Sequence, residues 1–254
     1  AQIAIGDMFI AGIIPGLLMA FGFFVALALL GRKYEYPVGE QKEPSEKREA
    51  IKMGLPTMII PLVIVGGILA GFSTPTESAA VASVAAFILG KYFYKELKLA
   101  QMPTVLFRTA LNTSIVVFIV ATANLFGWII IYEQVPQNLA AELVNLTQNP
   151  LVFLLMVNIA LLFVGMILDG IAALILVVPI LLPIAMNDYD ISPYQFGVVM
   201  CLNLVLGLLT PPVGMSLYMI TIITRMPVAR VIAGVMPFFI PLLLSLLVVS
   251  AVPA

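Results

Sequence analysis

The sequence has no histidine, one cysteine, one tryptophan and few charged residues. Without histidine, the chain lacks the commonest metal ligand and the usual proton shuttle at neutral pH. A lone cysteine, Cys201, excludes a disulfide within the chain. Charged residues make up 10% of the 254 residues, against about 25% in an average soluble domain. So little charge cannot cover the surface of a soluble protein, and the net charge of −1 argues against nucleic acid as a partner.

Apolar residues dominate the chain instead. They make up 62% of it, and the mean hydropathy is +1.15. They come in blocks of about 18 to 25 residues, the length at which a helix spans a bilayer, without the alternation of a membrane β-barrel. The sequence therefore predicts an all-α polytopic membrane protein embedded in the lipid bilayer. The predicted spans are 9–31, 55–72, 75–92, 106–132, 150–168, 169–187, 194–223 and 229–252.

The basic residues are placed unevenly. Ten of the twelve lie at or before position 108, and the other two are Arg225 and Arg230. Lys and Arg mark cytoplasmic loops, so the polar linker 31–52 and the turn at 225–230 are predicted inside. The acidic loops 133–149 and 188–193 are predicted outside, as is the C-terminus.

The segment 150–187 begins and ends outside under this topology. Its turn, at Asp169 and Gly170, has no basic residue and almost no polar neighbours. We therefore expect a re-entrant hairpin with its tip buried in protein, although two full spans are the alternative. Asp169 either caps the second arm, faces a cavity or ligates a cation.

A second interruption lies in "GLLTPPVGMSLY". Pro211 and Pro212 lack the N–H that a helix needs, and Gly207 and Gly214 flank them. Broken membrane helices bind Na⁺ with freed carbonyls and anions with half-helix N-termini, and Thr210 adds a hydroxyl. The alternative is a proline kink that only shapes helix packing.

Two other polar features have structural and functional interpretations. Thr74, Pro75 and Glu77 have the spacing of a capping box at a helix start; otherwise Glu77 is a polar contact along a permeation route. Asn124 and its polar neighbours in 106–132 either hydrogen-bond between helices or line a substrate path.

Together these motifs resemble the large membrane subunit of the tripartite ATP-independent periplasmic (TRAP) transporters. The resemblance rests on "FIAGIIPGLLMA", "GGILAGFSTPTESAAVASV", "LFGWIII", "ILDGIAALILVVPILLPI" and "NLVLGLLTPPVGMSLY", in that order. It implies a secondary transporter of the ion-transporter type, with inverted repeats and an elevator mechanism. A Na⁺ gradient would drive uptake of an organic anion, such as sialic acid or a dicarboxylate. A periplasmic binding protein would deliver this anion, and a small membrane subunit would support the scaffold.

The resemblance also implies site residues. Na⁺ would lie between the hairpin tip and the break, and substrate next to both. The implied Na⁺ residues are Leu168, Asp169, Gly170, Gly207, Thr210 and Pro211. The implied substrate residues are Thr210, Val213, Gly214 and Asn203, with Thr74, Glu77 and Asn124 as structural or path candidates.

The chain resembles only the C-terminal portion of that subunit, because no first hairpin or first break is found. The N-terminal half of the same permease would then be a partner in the bacterial inner membrane, and the C-terminus would be periplasmic. The resulting division is 1–31 as the end of the first repeat, 32–52 as a cytoplasmic linker, 53–105 as scaffold helices with a surface helix, and 106–254 as part of the transport domain. That last part holds the hairpin 150–187, the broken helix 194–223 and the final helix 229–252.

Three other functions fit the sequence less well. A passive channel tolerates open water along its whole path, so it would not need a pair of gates that open in turn. A scaffold subunit would not need the break at Pro211. An intramembrane aspartyl protease needs two facing carboxylates, and only Asp169 and Glu77 are available, in no recognised catalytic motif. The chain is therefore predicted not to be an enzyme.

Overall fold

A computed structural model describes residues 4–34, 43–168, 170–211 and 214–252, and these residues fold into helices. Within them, six helical segments are long and apolar enough to cross a membrane. Many large hydrophobic side chains are exposed, as lipid-facing side chains are. The prediction of an all-α polytopic membrane protein is therefore confirmed. The helices are α1 (Ile5–Tyr34), α2 (Pro44–Gly54), α3 (Ile59–Leu69), α4 (Pro75–Ile88), α5 (Met102–Tyr132), α6 (Val135–Leu146), α7 (Pro150–Ile167), α8 (Gly170–Asn187), α9 (Pro193–Leu208), α10 (Met215–Thr224) and α11 (Val228–Ala251).

The chain divides into two compact units. The smaller contains Ala4–Phe9 and Glu35–Ile115, and the larger contains Ile10–Tyr34 and Val116–Ala254. Helices α1 and α5 each contribute residues to both.

In the smaller unit, the α3–α4 pair is closed by short polar contacts. Ser73 Oγ and Ser78 Oγ are 2.6 Å apart. Helix α4 begins with a complete capping box: Glu77 N donates to Thr74 Oγ1 at 3.3 Å, and Thr74 N donates to Glu77 Oε2 at 2.7 Å. The structural interpretation of Thr74 and Glu77 is thus the one that the geometry supports.

Loss of this cap should destabilise the start of α4. Replacing Thr74 by alanine removes a side-chain acceptor for Glu77 N, and N-cap replacements of this kind cost about 1 kcal/mol. The expected result is a lower thermal midpoint of the purified protein, with Thr74→Ser retaining the wild-type value. An unchanged thermal midpoint in Thr74→Ala would contradict the capping role.

The larger unit is organised around α9. One face of α9 packs on α7 and α8, and another packs on α11. Phe196, Met200 and Leu204 lie in the first contact, and Val199 and Leu206 lie in the second. Helix α9 is therefore the shared partner of both hairpin arms and of the last helix.

One segment predicted as a loop is helical. The range 133–149 contains α6, which begins beside the buried Pro136 and packs Leu139, Leu143 and Val144 against the core formed mainly by α7, α8 and α9. The range 133–149 is still a connection between candidate spans, and it contains this short helix because its apolar positions repeat at helical spacing among polar residues.

The connection between α8 and α9 is held by Tyr189. Its ring stacks on Phe153 with centroids 4.1 Å apart, and its hydroxyl donates to Thr147 O at 3.0 Å. Burial raises the pKa of the Tyr189 phenol, and the neighbouring Asp188 carboxylate raises this pKa further. The neutral phenol is thus the form that the folded protein favours.

This packing predicts an alkaline loss of stability. A folded-state pKa above the unfolded value of about 10 gives stability that is present below pH 10 and lost as pH rises through the folded pKa. Replacing Tyr189 by phenylalanine should cost about 1 kcal/mol at neutral pH through the lost hydrogen bond. It should also flatten the decline in unfolding free energy above pH 10. Parallel pH profiles for wild type and variant would contradict this role.

Candidate functional site

The hairpin turn, residues 168–170, joins α7 to α8. Leu168 ends α7 in an extended conformation, and its N–H donates to Val164 O at 2.9 Å. Helix α8 starts immediately afterwards at Gly170. Asp169, predicted to cap the second arm, face a cavity or ligate a cation, lies outside the described residues. The turn is therefore as short as the sequence suggested.

The helix break, residues 209–214, separates α9 from α10. Leu209 N donates to Leu206 O, and Thr210 N donates to Gly207 O, both at 3.0 Å, so the end of α9 tightens into i→i−3 bonding. Pro211 has no N–H to continue the pattern. Two of the residues in the break, Pro212 and Val213, lie outside the described part of the chain.

Thr210 places a hydroxyl group at the end of α9. Its Oγ1 donates to Leu206 O at 2.7 Å. Because the hydroxyl proton is used in that bond, Oγ1 can further interact only with a hydrogen-bond donor or a cation. The C-terminal end of a helix also carries partial negative charge. Both features favour a cation beside Thr210.

Gly214 allows the chain to re-enter a helix directly. It precedes α10 with φ of +43°, a left-handed conformation that favours glycine. A Cβ at this position would lie 2.9 Å from Thr210 O and 3.1 Å from Leu208 O. The carbonyl oxygens of Leu208, at the end of α9, and of Thr210, in the break, thus crowd the Gly214 backbone, and no larger residue fits without moving them.

Helices α7 and α9 cross closely just before the hairpin turn and the helix break. We call this contact the glycine crossing, formed by Gly165 and Gly207. A Cβ on Gly207 would lie 2.6 Å from Gly165 Cα, so the two backbones touch directly. Gly170 adjoins the Leu204 and Leu208 side chains, each 3.9 Å from its virtual Cβ. The structure therefore places the C-terminal part of α7 and the start of α8 against the last two turns of α9, before the break.

Asn203, predicted near the substrate, lies inside the α7–α9 interface. It is fully buried, and its Nδ2 donates to both the backbone oxygen and Oδ1 of Asn158, each at 2.9 Å. Its own Oδ1 is buried without a hydrogen-bond partner in the described part of the chain. Leaving such an atom unpaired costs about 1–3 kcal/mol. Asn203 thus contacts another helix rather than a cavity.

The remaining candidates lie elsewhere. Asn124 is exposed on α5. On the same helix, Ser114 and Thr122 donate to carbonyls of their own helix rather than to a neighbouring helix. Thr74 and Glu77 belong to the smaller unit, where they form the capping box.

Two residues of this region escaped the sequence analysis, Asn158 and Gly165. They are seven residues apart, which places them on the same face of α7 two turns from each other. Asn203 and Gly207 likewise share one face of α9, one turn apart. The spacing of Asn158 and Gly165 can be read from the sequence, but it indicates a helix contact only once α7 is known to pack on α9.

Comparisons with known proteins identify the family of the chain. The family model described as "Tripartite ATP-independent periplasmic transporter, DctM component" matches residues 1–254. Three similar proteins are the "Sialic acid TRAP transporter large permease protein SiaM" of Vibrio cholerae, the "C4-dicarboxylate TRAP transporter large permease protein DctM" of Pseudomonas aeruginosa and the "Sialic acid TRAP transporter permease protein SiaT" of Haemophilus influenzae.

Similarity to these proteins extends along nearly the whole chain. SiaM is 38% identical over 250 residues, which cover 98% of this chain and 58% of SiaM. DctM is 34% identical over 253 residues, covering 100% of the chain and 59% of DctM. SiaT is 36% identical over 253 residues, covering 100% of the chain and 41% of SiaT. The chain thus spans about three-fifths or less of the length of these relatives.

Proposed function

The chain belongs to the DctM component family of tripartite ATP-independent periplasmic transporters, and from this we propose that it forms part of a Na⁺-coupled permease for an organic anion. This is a family of transporters rather than of enzymes. The observation that supports the proposal is the direct backbone contact of Gly165 with Gly207, three residues before the hairpin turn and two before the helix break.

In this proposal, Na⁺ binds between the turn and the break. Thr210 Oγ1 and backbone oxygens of the break supply neutral oxygen ligands, which suit a hard cation. Main-chain groups cannot be left unpaired against lipid, so irregular backbone within the membrane is tolerated only inside protein or around a cavity. The Na⁺ residues are Leu168, Asp169, Gly170, Gly207, Thr210 and Pro211.

The organic anion binds on the other side of the break. Helix α10 begins after Gly214, and the N–H groups of a helix start attract a carboxylate. Sialic acid and C4-dicarboxylates, which the names of relatives mention, both carry carboxylates. The substrate would therefore lie near Thr210, Val213 and Gly214. The stretch from 109 to 224 contains no lysine or arginine, so within this chain backbone amides are the groups proposed for this recognition, and the N-terminal half of the permease is the other source.

The rest of the machinery follows from family membership. The proposed assembly lies in the bacterial inner membrane, with the C-terminus of this chain in the periplasm. It contains the N-terminal half of the permease, a small membrane subunit and a periplasmic binding protein that delivers the anion. The hairpin and the broken helix would move together in an elevator step, which agrees with their shared contacts along α9.

Uptake into proteoliposomes tests this function. The complete transporter containing this chain is reconstituted and supplied with a binding protein loaded with radiolabelled sialic acid or succinate. The proposal predicts accumulation that requires both an inward Na⁺ gradient and the binding protein. Flux that is independent of the gradient and of the binding protein would identify a passive channel. No flux in a fully assembled complex, with every known class of TRAP substrate, would leave only a scaffold role.

A further inference from the structure

Buried polar side chains connect three helices of the larger unit. Asn203 on α9 donates to Asn158 on α7, and Asn158 Nδ2 in turn donates to Ser250 Oγ on α11 at 2.9 Å. All three side chains are at least nine-tenths buried. Hydrogen bonds between amides are directional, so the amide pair, Asn158 and Asn203, fixes both the rotation and the sliding of α7 against α9.

The amide pair lies next to the glycine crossing on both helices. Asn158 precedes Gly165 by two helical turns, and Asn203 precedes Gly207 by about one. Two glycines that touch through bare backbone have no side chains to interlock, so they permit sliding. The register of α7 on α9 is therefore set by neighbouring contacts, and within the described residues the amide pair supplies directional side-chain hydrogen bonds between these two helices.

We propose that Asn158 is a positioning residue for the Na⁺ site: by binding Asn203 it fixes the register of α7 on α9, and hence the distance between the hairpin turn and Thr210. This inference rests on the proposed Na⁺-coupled function. In this inference Asn203 is the partner of Asn158 in positioning the site and does not contact the substrate, because Asn203 is fully buried against α7.

The unpaired Oδ1 of Asn203 supports a role for the amide pair beyond holding α7 and α9 together. A pair of apolar side chains would fill this interface without stranding a polar atom, whereas Asn203 Oδ1 lacks a partner within the described residues. Polar side chains in buried interfaces are retained in some proteins because they specify one register at a cost in stability.

Two buried polar residues nearby provide matched controls. Gln195 lies on the same helix as Asn203, but at the end remote from the break, where its Nε2 donates to Val249 O and Ser250 O. Ser245 Oγ bonds within its own helix, to Pro241 O at 2.8 Å. Both contribute to stability, but neither connects α7 to α9.

The experiment measures the Na⁺ concentration for half-maximal uptake, together with the maximal rate, in the complete transporter. Asn158→Leu should raise that concentration about 10-fold, as loss of an outer-shell partner does at metal sites, with the maximal rate nearly unchanged. Gln195→Leu and Ser245→Ala should lower thermal stability and keep the wild-type Na⁺ dependence. If Asn158→Leu does not assemble, Asn158→Ser is measured, with Na⁺-induced thermal stabilisation as a second readout.

The outcomes separate this inference from the proposed function. Wild-type uptake that does not depend on Na⁺ would overturn the proposed function itself. Na⁺-dependent wild-type uptake that Thr210→Ala weakens, but that the Asn158 variants leave unchanged, would overturn only the positioning role. An equal shift in Na⁺ dependence for Asn158→Leu and Gln195→Leu would also overturn it, since the effect would then reflect general destabilisation.

Discussion

Replacing Gly207 by alanine is expected to weaken Na⁺ activation of uptake about 10-fold or more. The new Cβ would lie 2.6 Å from Gly165 Cα and 2.7 Å from its carbonyl carbon. These are backbone atoms, so the clash can be relieved only by moving α7 away from α9. Overpacking of this kind costs about 1–3 kcal/mol, and about 1.4 kcal/mol corresponds to a factor of ten in affinity. Uptake against Na⁺ concentration measures the effect.

Three glycines make this prediction specific. Gly165→Ala should have a similar but smaller effect, because its Cβ would lie 3.0 Å from Gly207 Cα. Gly234 and Gly127, in contrast, have no heavy atom within 4 Å of a virtual Cβ. Alanine at either of these two positions should leave uptake at the wild-type level. Normal Na⁺ activation in Gly207→Ala would show that the close crossing is not required.

Removing the Thr210 hydroxyl is expected to raise the Na⁺ concentration for half-maximal uptake by about 10-fold or more. A hydrogen bond or ligand contact to a charged group contributes about 1.5–3 kcal/mol, and the alanine variant loses one such contact. Thr210→Ser keeps the oxygen and should stay close to wild type. Membrane insertion should change little, because the group lost is one hydroxyl bonded within its own helix.

Thr221→Ala is the matched control for this variant. Thr221 Oγ1 donates to Leu217 O at 2.9 Å, the same i→i−4 bond that Thr210 makes, but within the continuous part of α10. If both alanine variants reduce uptake equally, the effect of Thr210 comes from its helix bond and not from a bound ion.

The sequence was most informative where backbone chemistry is local. The two prolines and the glycine of "TPPVG" predicted an interruption, and the structure ends α9 at Leu208 and starts α10 at Met215. The spacing of Thr74 and Glu77 predicted the capping box that the structure contains. In each case the residue type itself restricts the backbone or its hydrogen bonds.

Features that depend on contacts between distant segments were not predictable in this way. The glycine crossing joins positions 42 residues apart, and the hydrogen bonds from Asn203 to Asn158 span 45 residues. A buried asparagine looks the same in sequence whether it faces a substrate or another helix, which is why Asn203 was assigned to the substrate. Helix α6 was not predicted because its apolar stripe is short and polar residues lie between its apolar positions.

The most direct test of the Na⁺ site is an experimental density map of the complete transporter in NaCl, compared with one in choline chloride. We expect Na⁺-dependent density between the hairpin turn and the helix break, in contact with Thr210 Oγ1 and at least one backbone oxygen of residues 207–210. It should be absent in choline chloride and in Thr210→Ala. A map in NaCl with side chains well resolved at the glycine crossing, but with no ion beside Thr210, would contradict the account.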